Sequence, residues 1–372
     1  MNARERFRAT CRFEPVDRPF RWETIGFWPE TIARWHGEGL PEDIDDLFAY
    51  VHFGMDLRIP IVLGSFENPG LYPLFEEEII EETEQHRVKR NQVGAVIKEF
   101  KSGQSALPQF LEFPVRDMRS FEEIRWRLDP STPERLGSEW EESSRVYDEA
   151  DVPVFAYFCG LFGTARHLLG FENLMLAYYD MPELIHAIGE QWVALYTGLL
   201  ERVAPKTTID GIDFWEDMAY RNGPMIGPPT FKEFMSPYYK RVIDCARSLG
   251  IEVFGVDTDG NCSLLIPLFL DVGVNMLYPF EVQAGMDIRE VRRTYGKKLI
   301  IQGGLDKRAL AVSREAIKQE VESKLPVLLR DGGCIPSLDH NVPPDVPLEN
   351  FEYYLDLVRK IGEKFGIASR HV

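Results

Sequence analysis

The sequence predicts an α/β protein built as a (β/α)8 TIM barrel with an inserted β-hairpin excursion, and three observations carry that expectation. Eight apolar or β-branched runs recur along the 372 residues. Several are apolar on both faces, as strands buried between a barrel interior and surrounding helices must be. From about residue 150 onward strand and helix signals alternate, which in a chain of this length favours one large barrel over two domains. Residues 1–372 are therefore read as a single domain with an insertion at about 65–150.

The strand candidates are "PFRWETI" (19–25), "LRIPIVLG" (57–64), "VPVFAYFCG" (152–160), "GIDFWED" (211–217), "EVFGVDTD" (252–259), "NMLYPF" (275–280), "KLIIQGG" (298–304) and "GCIPSLDH" (333–340). Between them, Thr230 and Glu233 have the spacing of a capping box ahead of the stripe Phe231, Phe234, Tyr238, Val242, Cys245 and Leu249, with Gly250 as the stop. Pro237 should kink that helix. Ser313 can cap a segment carrying Ile317, Val321, Leu325 and Leu328, and Pro347 sits at a first helical position before Phe351, Tyr354, Leu355 and Val358. The acidic "FEEEIIEETEQ" breaks the rhythm, and "HRVKRNQVGAVIKEFKSG" around the turn Asn91 to Gly94 reads as a hairpin over 87–103.

Composition removes several classes of function. A net charge of -18, from 60 acids against 42 bases, does not suit phosphate neutralisation, so no nucleic-acid partner is expected. Five scattered cysteines, Cys11, Cys159, Cys245, Cys262 and Cys334, show no CxxC spacing and point to a reducing compartment. The charged start "MNARERFRATCRFEP" lacks a signal-peptide core, and no apolar run reaches the roughly 20 residues that span a bilayer. A soluble cytoplasmic protein with no membrane partner is the expectation.

Three of the strand candidates deliver acid or imidazole to their C-terminal ends: Glu216 and Asp217, then Asp257 and Asp259, then Asp339 and His340. In a parallel barrel these ends share one rim, where the chemistry sits. The bland reading of Asp-x-Asp-Gly-Asn is a turn and helix cap. Against it, Asp257 and Asp259 on alternate residues point to the same side and crowd each other unless a cation or proton intervenes. Glu281 after "YPF", and Gln302 with Asp306 around the pair Gly303 and Gly304, are further rim candidates. Trp22, Phe53, Tyr157 and Phe158 near early strand ends are placed to line a pocket for a flat or methoxylated substrate. Cys334 lies inside the last strand and reads as core.

The segments "RERFRATCRFEPVDRPF", "GFENLMLAYYDMPELI", "NGPMIGPPTFKEFMSPYYKRVIDCARSLG", "VDTDGN", "IQGGLD" and "HNVPPDVPLENFEYY", in this order over nearly the whole chain, resemble the uroporphyrinogen decarboxylase superfamily. The resemblance implies a single (β/α)8 barrel with a deep cleft at the strand C-termini. It also implies one of two chemistries: cofactor-free decarboxylation of uroporphyrinogen, or methyl transfer with a corrinoid protein, commonly with zinc. The decarboxylases carry an N-terminal RQAGRY-type signature whose arginines grip substrate carboxylates. This chain has "RPFRWETIGFWPETIARW" there, with Glu23 and aromatics in its place, which disfavours an octa-anionic substrate. His340 does match a histidine of their "LGHG"-type segment.

Aligned with the methyltransferase branch, Asp257 and Asp259 fall at its His-x-Cys zinc-ligand positions and His340 near its last cysteine ligand. Glu216 falls where the superfamily has an acid. The resemblance thus implies a divalent metal, zinc, manganese or ferrous iron, on Asp257, Asp259 and His340. Catalysis is assigned to these three and Glu216, and substrate binding to Trp22, Glu23, Tyr157, Phe158, Glu281 and Gln302. The expected function is metal-assisted methyl transfer from a small methylated substrate, with a corrinoid on a partner protein; a homodimer is left open. Metal-free decarboxylation of uroporphyrinogen or a related acid, and a barrel that only binds a small molecule or a corrinoid protein, are the alternatives.

Overall fold

The computed structural model describes residues 1–101 and 108–366. Seven parallel strands, Ile59–Val62, Val154–Cys159, Gly211–Trp215, Val253–Asp257, Met276–Tyr278, Ile300–Gln302 and Cys334–Ile335, lie side by side in chain order. Helices run between successive strands, the winding of a (β/α) barrel. Register sets the interior: Tyr157 pairs beside Asp213, Asp213 beside Gly255, and Asp257 beside both Trp215 and Tyr278. Among the described residues no helix is long and apolar enough to cross a membrane.

The expected first strand, 19–25, is not one. It is extended chain, and just beyond it Phe27 makes an isolated bridge, parallel to Val342. It nonetheless fills the eighth position between the first and last strands. On one side the Asp56 N–H donates to the Arg21 carbonyl and the Arg21 N–H to the Asp56 carboxylate. On the other the Thr24 N–H donates to Ser337 Oγ and the Leu338 N–H to Glu23. Side chains take most of the ladder's partners here, so backbone pairing never becomes regular.

Alternation along the strands separates two cores. Phe155, Val253, Met276, Tyr278, Ile300 and Ile335 fill the interior with Phe7 and Phe20, while the larger cluster lies between strands and helices. Phe7 comes from the helix Ala3–Cys11, which starts with a capping box from Asn2 and Glu5. Its ring packs edge-on against Phe20 and Phe155 at 5.4 and 5.1 Å, closing the floor of the interior. Arg4 and Arg8 of the same helix both pair with buried Asp210.

After the first strand the chain makes its excursion, larger than a hairpin. Glu78–Glu82, His86–Arg90, Val96–Phe100 and Gln109–Glu112 form a four-stranded antiparallel sheet, so the acidic stretch is itself a strand. The expected turn is present: Asn91 Oδ1 accepts from the N–H groups of Val93 and Ala95, and Gly94 supplies a φ of +84°. The last two residues of the expected hairpin, 102 and 103, lie outside the described residues.

Helix boundaries also differ from expectation. The helix at 228 starts at Pro228 with Gly227 as cap, leaving Thr230 inside its first turn, because prolines fit a first turn whose N–H groups are unpaired anyway. Pro237 starts a second helix, Ser236–Ser248, rather than kinking one. Pro347 is the cap of Leu348–Glu363, one residue before the helix. Ser313 caps Arg314–Asp331 as read.

Candidate active site

The lower wall of the cleft is a buried ion pair. Arg58 and Asp213 meet with side chains 3% and 1% exposed, and Arg58 also donates to the Tyr157 hydroxyl at 2.5 Å. The guanidinium lies 3.9 Å from the Phe155 ring centroid and 5.2 Å from that of Trp22. Burial pushes the Asp213 carboxyl up even beside Arg58. Neither residue was singled out from the sequence; a charge in the middle of "LRIPIVLG" and another in "GIDFW" are the signals that could have found them.

Above this layer Asp257 ends its strand facing the cleft. Burial first, then the carboxylates of Asp259, Asp217 and Asp213, raise its pKa well above the ordinary carboxylate value. Gln302 is fully buried; its Nε2 donates to Thr24 Oγ1 at 3.1 Å, while its Oε1 is buried without a partner.

At the rim, one ligand atom each from Asp259, Glu281 and His340 lie within 4.8 Å of one another. These residues follow three different strands, so the shared rim brings them together. His340 Nε2 is 3.4 Å from Asp259 Oδ2. The Gly260 N–H donates to Glu281 Oε2 at 2.9 Å, and Gly260 has a φ of +72° where a Cβ would lie 2.5 Å from the Ala219 carbonyl oxygen. Burial works against a charged His340, but Asp259 and Glu281 outweigh it and raise the imidazole's pKa. Asp259 Oδ1 is buried with no hydrogen-bond partner.

That orphaned oxygen, with a second carboxylate and an imidazole, fits a divalent cation of the zinc, manganese or ferrous class. Lys307 competes for the same charge, its Nζ 3.8 Å from Glu281 and 3.6 Å from Asp339. The donor group therefore differs from the expected one: Asp259 and His340 are in it, but Glu281 takes the place of Asp257. Asp339, fully buried, accepts from the N–H groups of Val282 and Lys307 and braces the loops that carry these ligands.

Several other expected residues face elsewhere. Glu216 points away from the cleft: it is fully buried, accepts from the Tyr239 hydroxyl at 2.5 Å and the Gly163 N–H at 2.8 Å, and burial raises it to about 7. Phe158 lies one residue off the inward register and stacks on Tyr196 at 4.0 Å, whereas Tyr157 faces Arg58. Glu23 is likewise outward, buried against Tyr354 of the C-terminal helix, while its neighbour Trp22 stacks on Tyr50 at 4.4 Å. Cys334 is buried in the core. Asp217 and Phe280 flank the rim with φ of +42° and +61°, conformations that cost energy for side chains of their type. Asp217 is held by Arg166 at 3.1 Å.

Comparison with known proteins agrees with this fold. The family model described as uroporphyrinogen decarboxylase matches residues 97–361. The uroporphyrinogen decarboxylase of Legionella pneumophila is 22% identical over 270 residues, covering 70% of this chain and 73% of that protein. That of Thermus thermophilus is 24% identical over 264 residues, covering 67% and 71%. Among solved structures, a methyltransferase from Methanosarcina mazei superposes with a TM-score of 0.61 at 16% identity, over 97% of this chain and 99% of that one, a likeness of fold. With the model spanning well over half of its length, the chain belongs to the uroporphyrinogen decarboxylase family.

Proposed function

We propose that this chain is a metal-assisted methyltransferase that works with a corrinoid protein on a small methylated substrate. The observation that carries the reading is the rim group Asp259, Glu281 and His340 with its unpartnered, buried Asp259 oxygen. These three residues would hold the ion, which as a Lewis acid would polarise the atom bearing the methyl group. Trp22 and Tyr157 offer aromatic surface below, and Val62 and Phe66, both exposed, leave an apolar approach from the rim for a partner. Asp257, whose proton affinity burial and its carboxylate neighbours raise, stands beside the bound substrate as a hydrogen-bonding group.

Charge supports methyl transfer over the tetrapyrrole. Arg58, Arg166 and Lys307 each already face a carboxylate of the chain, so these three offer an octa-anion no unpaired charge, while Asp259 and Glu281 would oppose it. Metal-free decarboxylation of a smaller acid is the second reading. It is favoured by the raised proton affinity of Asp257, which suits a donor to a carbanion, and by the names of the related decarboxylases. The test is metal analysis of purified protein with an Asp259→Ala control, alongside methyl transfer from methoxyphenols to free cob(I)alamin. About one ion per chain, lost in Asp259→Ala, with formation of methylcobalamin, is expected. Protein that stays metal-free after supplementation yet converts uroporphyrinogen to coproporphyrinogen would overturn the proposal.

A further inference from the structure

Beside the end of the first strand, Ile59–Val62, lies a cavity of about 180 Å³ with Ser65, Asn68, Tyr72 and Arg135 on its walls. The hydrogen-bonding capacity these side chains have left is for donation. Ser65 Oγ accepts from the N–H groups of Glu67 and Asn68 at 3.1 and 3.2 Å, which uses both of its lone pairs. Asn68 Oδ1 accepts in the same way from Gly70 and Leu71 at 3.0 and 2.8 Å, and one Nδ2 proton goes to the Leu71 carbonyl. The Ser65 O–H and the second Asn68 N–H remain. Tyr72, whose ring centroid lies 5.8 Å from the Arg135 guanidinium carbon, has no hydrogen-bond partner for its hydroxyl among the described residues. No carboxylate lines the cavity.

Arg135 brings a charge to this cavity that nothing beside it neutralises. Its Nε donates to the Asp129 carbonyl at 2.6 Å, one terminal nitrogen to the Gly70 carbonyl at 2.8 Å and the other to the Arg127 carbonyl. That leaves one N–H on each terminal nitrogen. The neighbouring cations are held in the same way. Arg127 donates to the carbonyls of Pro73 and Leu74, and Arg202 to those of Pro130, Thr132 and Pro133. Among the described residues none of these three arginines forms an ion pair with a carboxylate, in a chain that carries 60 acids against 42 bases. Asp129 is the acid that acts on Arg135, together with Tyr196, Tyr72 and the like charge of Arg202, but its exposed carboxylate accepts from the Ser131 N–H. Burial lowers Arg135 to about 10, as expected for a cation that has lost water without gaining a full counter-charge.

We infer that this cavity is a binding site for a phosphate group, with Arg135, Ser65, Asn68 and Tyr72 as its donors. Side chains that can only donate call for an acceptor, and the unpaired guanidinium makes that acceptor an anion. Four donor side chains exceed what the two coplanar oxygens of a carboxylate can serve, whereas a tetrahedral phosphate turns oxygens toward all of them. The site involves none of the rim residues Asp259, Glu281 and His340, so it stands whichever reaction the cleft performs. An occupant would tie the end of the first strand to the turn Pro133–Leu136. It would also steady Phe66, the residue after Ser65, whose ring lies 6.3 Å from that of Trp215.

The test is a phosphorus NMR titration of chelator-treated protein with inorganic phosphate and, separately, with methyl phosphate, at an ionic strength held constant with chloride. One saturable site per chain is expected, with a Kd below about 1 mM, and the tighter of the two ligands tells whether the group is free or esterified. Tyr72→Phe removes a hydroxyl that holds nothing else, so it should match the parent in denaturant titration and weaken binding at least about tenfold. Arg135→Lys keeps the charge, loses the planar fork and should weaken binding as much. Lys307→Gln, at the rim, should bind phosphate as the parent does. The site is overturned by absence of saturable binding up to about 10 mM, by parent affinity in either Tyr72→Phe or Arg135→Lys, or by a loss seen in Lys307→Gln instead. Acetate competing as well as phosphate would overturn the choice of ligand. Should Arg135→Lys fail to fold, Tyr72→Phe decides alone.

Discussion

Glu216 makes the stability of this protein depend on pH in a way that can be measured without knowing a substrate. Its carboxyl is fully buried, bonded to Tyr239 and Gly163, and raised by burial from an ordinary 4.5 to about 7. A raised value means that the native state binds the proton more tightly than the unfolded chain. The associated stability is therefore complete below about pH 4.5 and is lost as pH rises through about 7. At 1.36 kcal/mol per tenfold change the span is roughly 3 kcal/mol. Glu216→Gln keeps the shape, can accept from Gly163 and donate to the Tyr239 oxygen, and cannot titrate. In urea unfolding followed by tryptophan fluorescence, parent minus variant should fall by roughly 3 kcal/mol between pH 4.5 and 8. Glu23, buried and raised to about 7, contributes a similar slope to both proteins and cancels in the difference. A constant difference across that range would refute the reasoning, because Glu216 would then have the same proton affinity folded and unfolded.

Arg58→Ala should destabilise by about 3–5 kcal/mol in denaturant titration, since it strands Asp213 in the interior without its partner; the double variant Arg58→Met, Asp213→Leu should recover much of that loss. Gly160→Ala should cost about 1–3 kcal/mol and disturb the Glu216 titration, because its Cβ would lie 2.2 Å from the Glu216 Cδ; unchanged stability would show that the loop yields freely. Glu281→Ala should lower metal content as much as Asp259→Ala does, while Asp257→Asn should retain it; loss of metal in Asp257→Asn alone would reinstate Asp257 as the third ligand.

Strand positions were legible because apolar runs flanked by glycine and helix-period sequence state both burial and boundaries. The one segment misread as a strand, 19–25, is as apolar as the others, and nothing local to it reveals that Asp56, Ser337 and Glu23 side chains replace a backbone ladder. The site divides the same way. Asp259 and His340 could be named as candidates from the sequence because charge stands at strand ends, a local feature. Exchange of Asp257 for Glu281 depends on how far each loop turns back over the cleft, which Gly260 and the positive φ of Phe280 decide and no residue type encodes. Phe158, Glu23 and Glu216 were assigned inward when a one-residue step in register sends them outward. Arg58 and Asp213 were passed over because each sits in a run read for its hydrophobicity.

The extended segment at 19–28 has a consequence for how this molecule fails. A barrel closed by eight regular ladders has no free edge, but here Ile59–Val62 and Cys334–Ile335 are both the ends of an open sheet that this one segment covers. Its clasp joins residues more than 310 positions apart, as between Thr24 and Ser337 or Glu23 and Leu338, so little local sequence holds it in place. Detachment would bare two rows of unpaired N–H and C=O groups at once, templates for strand addition from another chain. Damage along this seam should therefore announce itself as aggregation before it announces itself as lost chemistry.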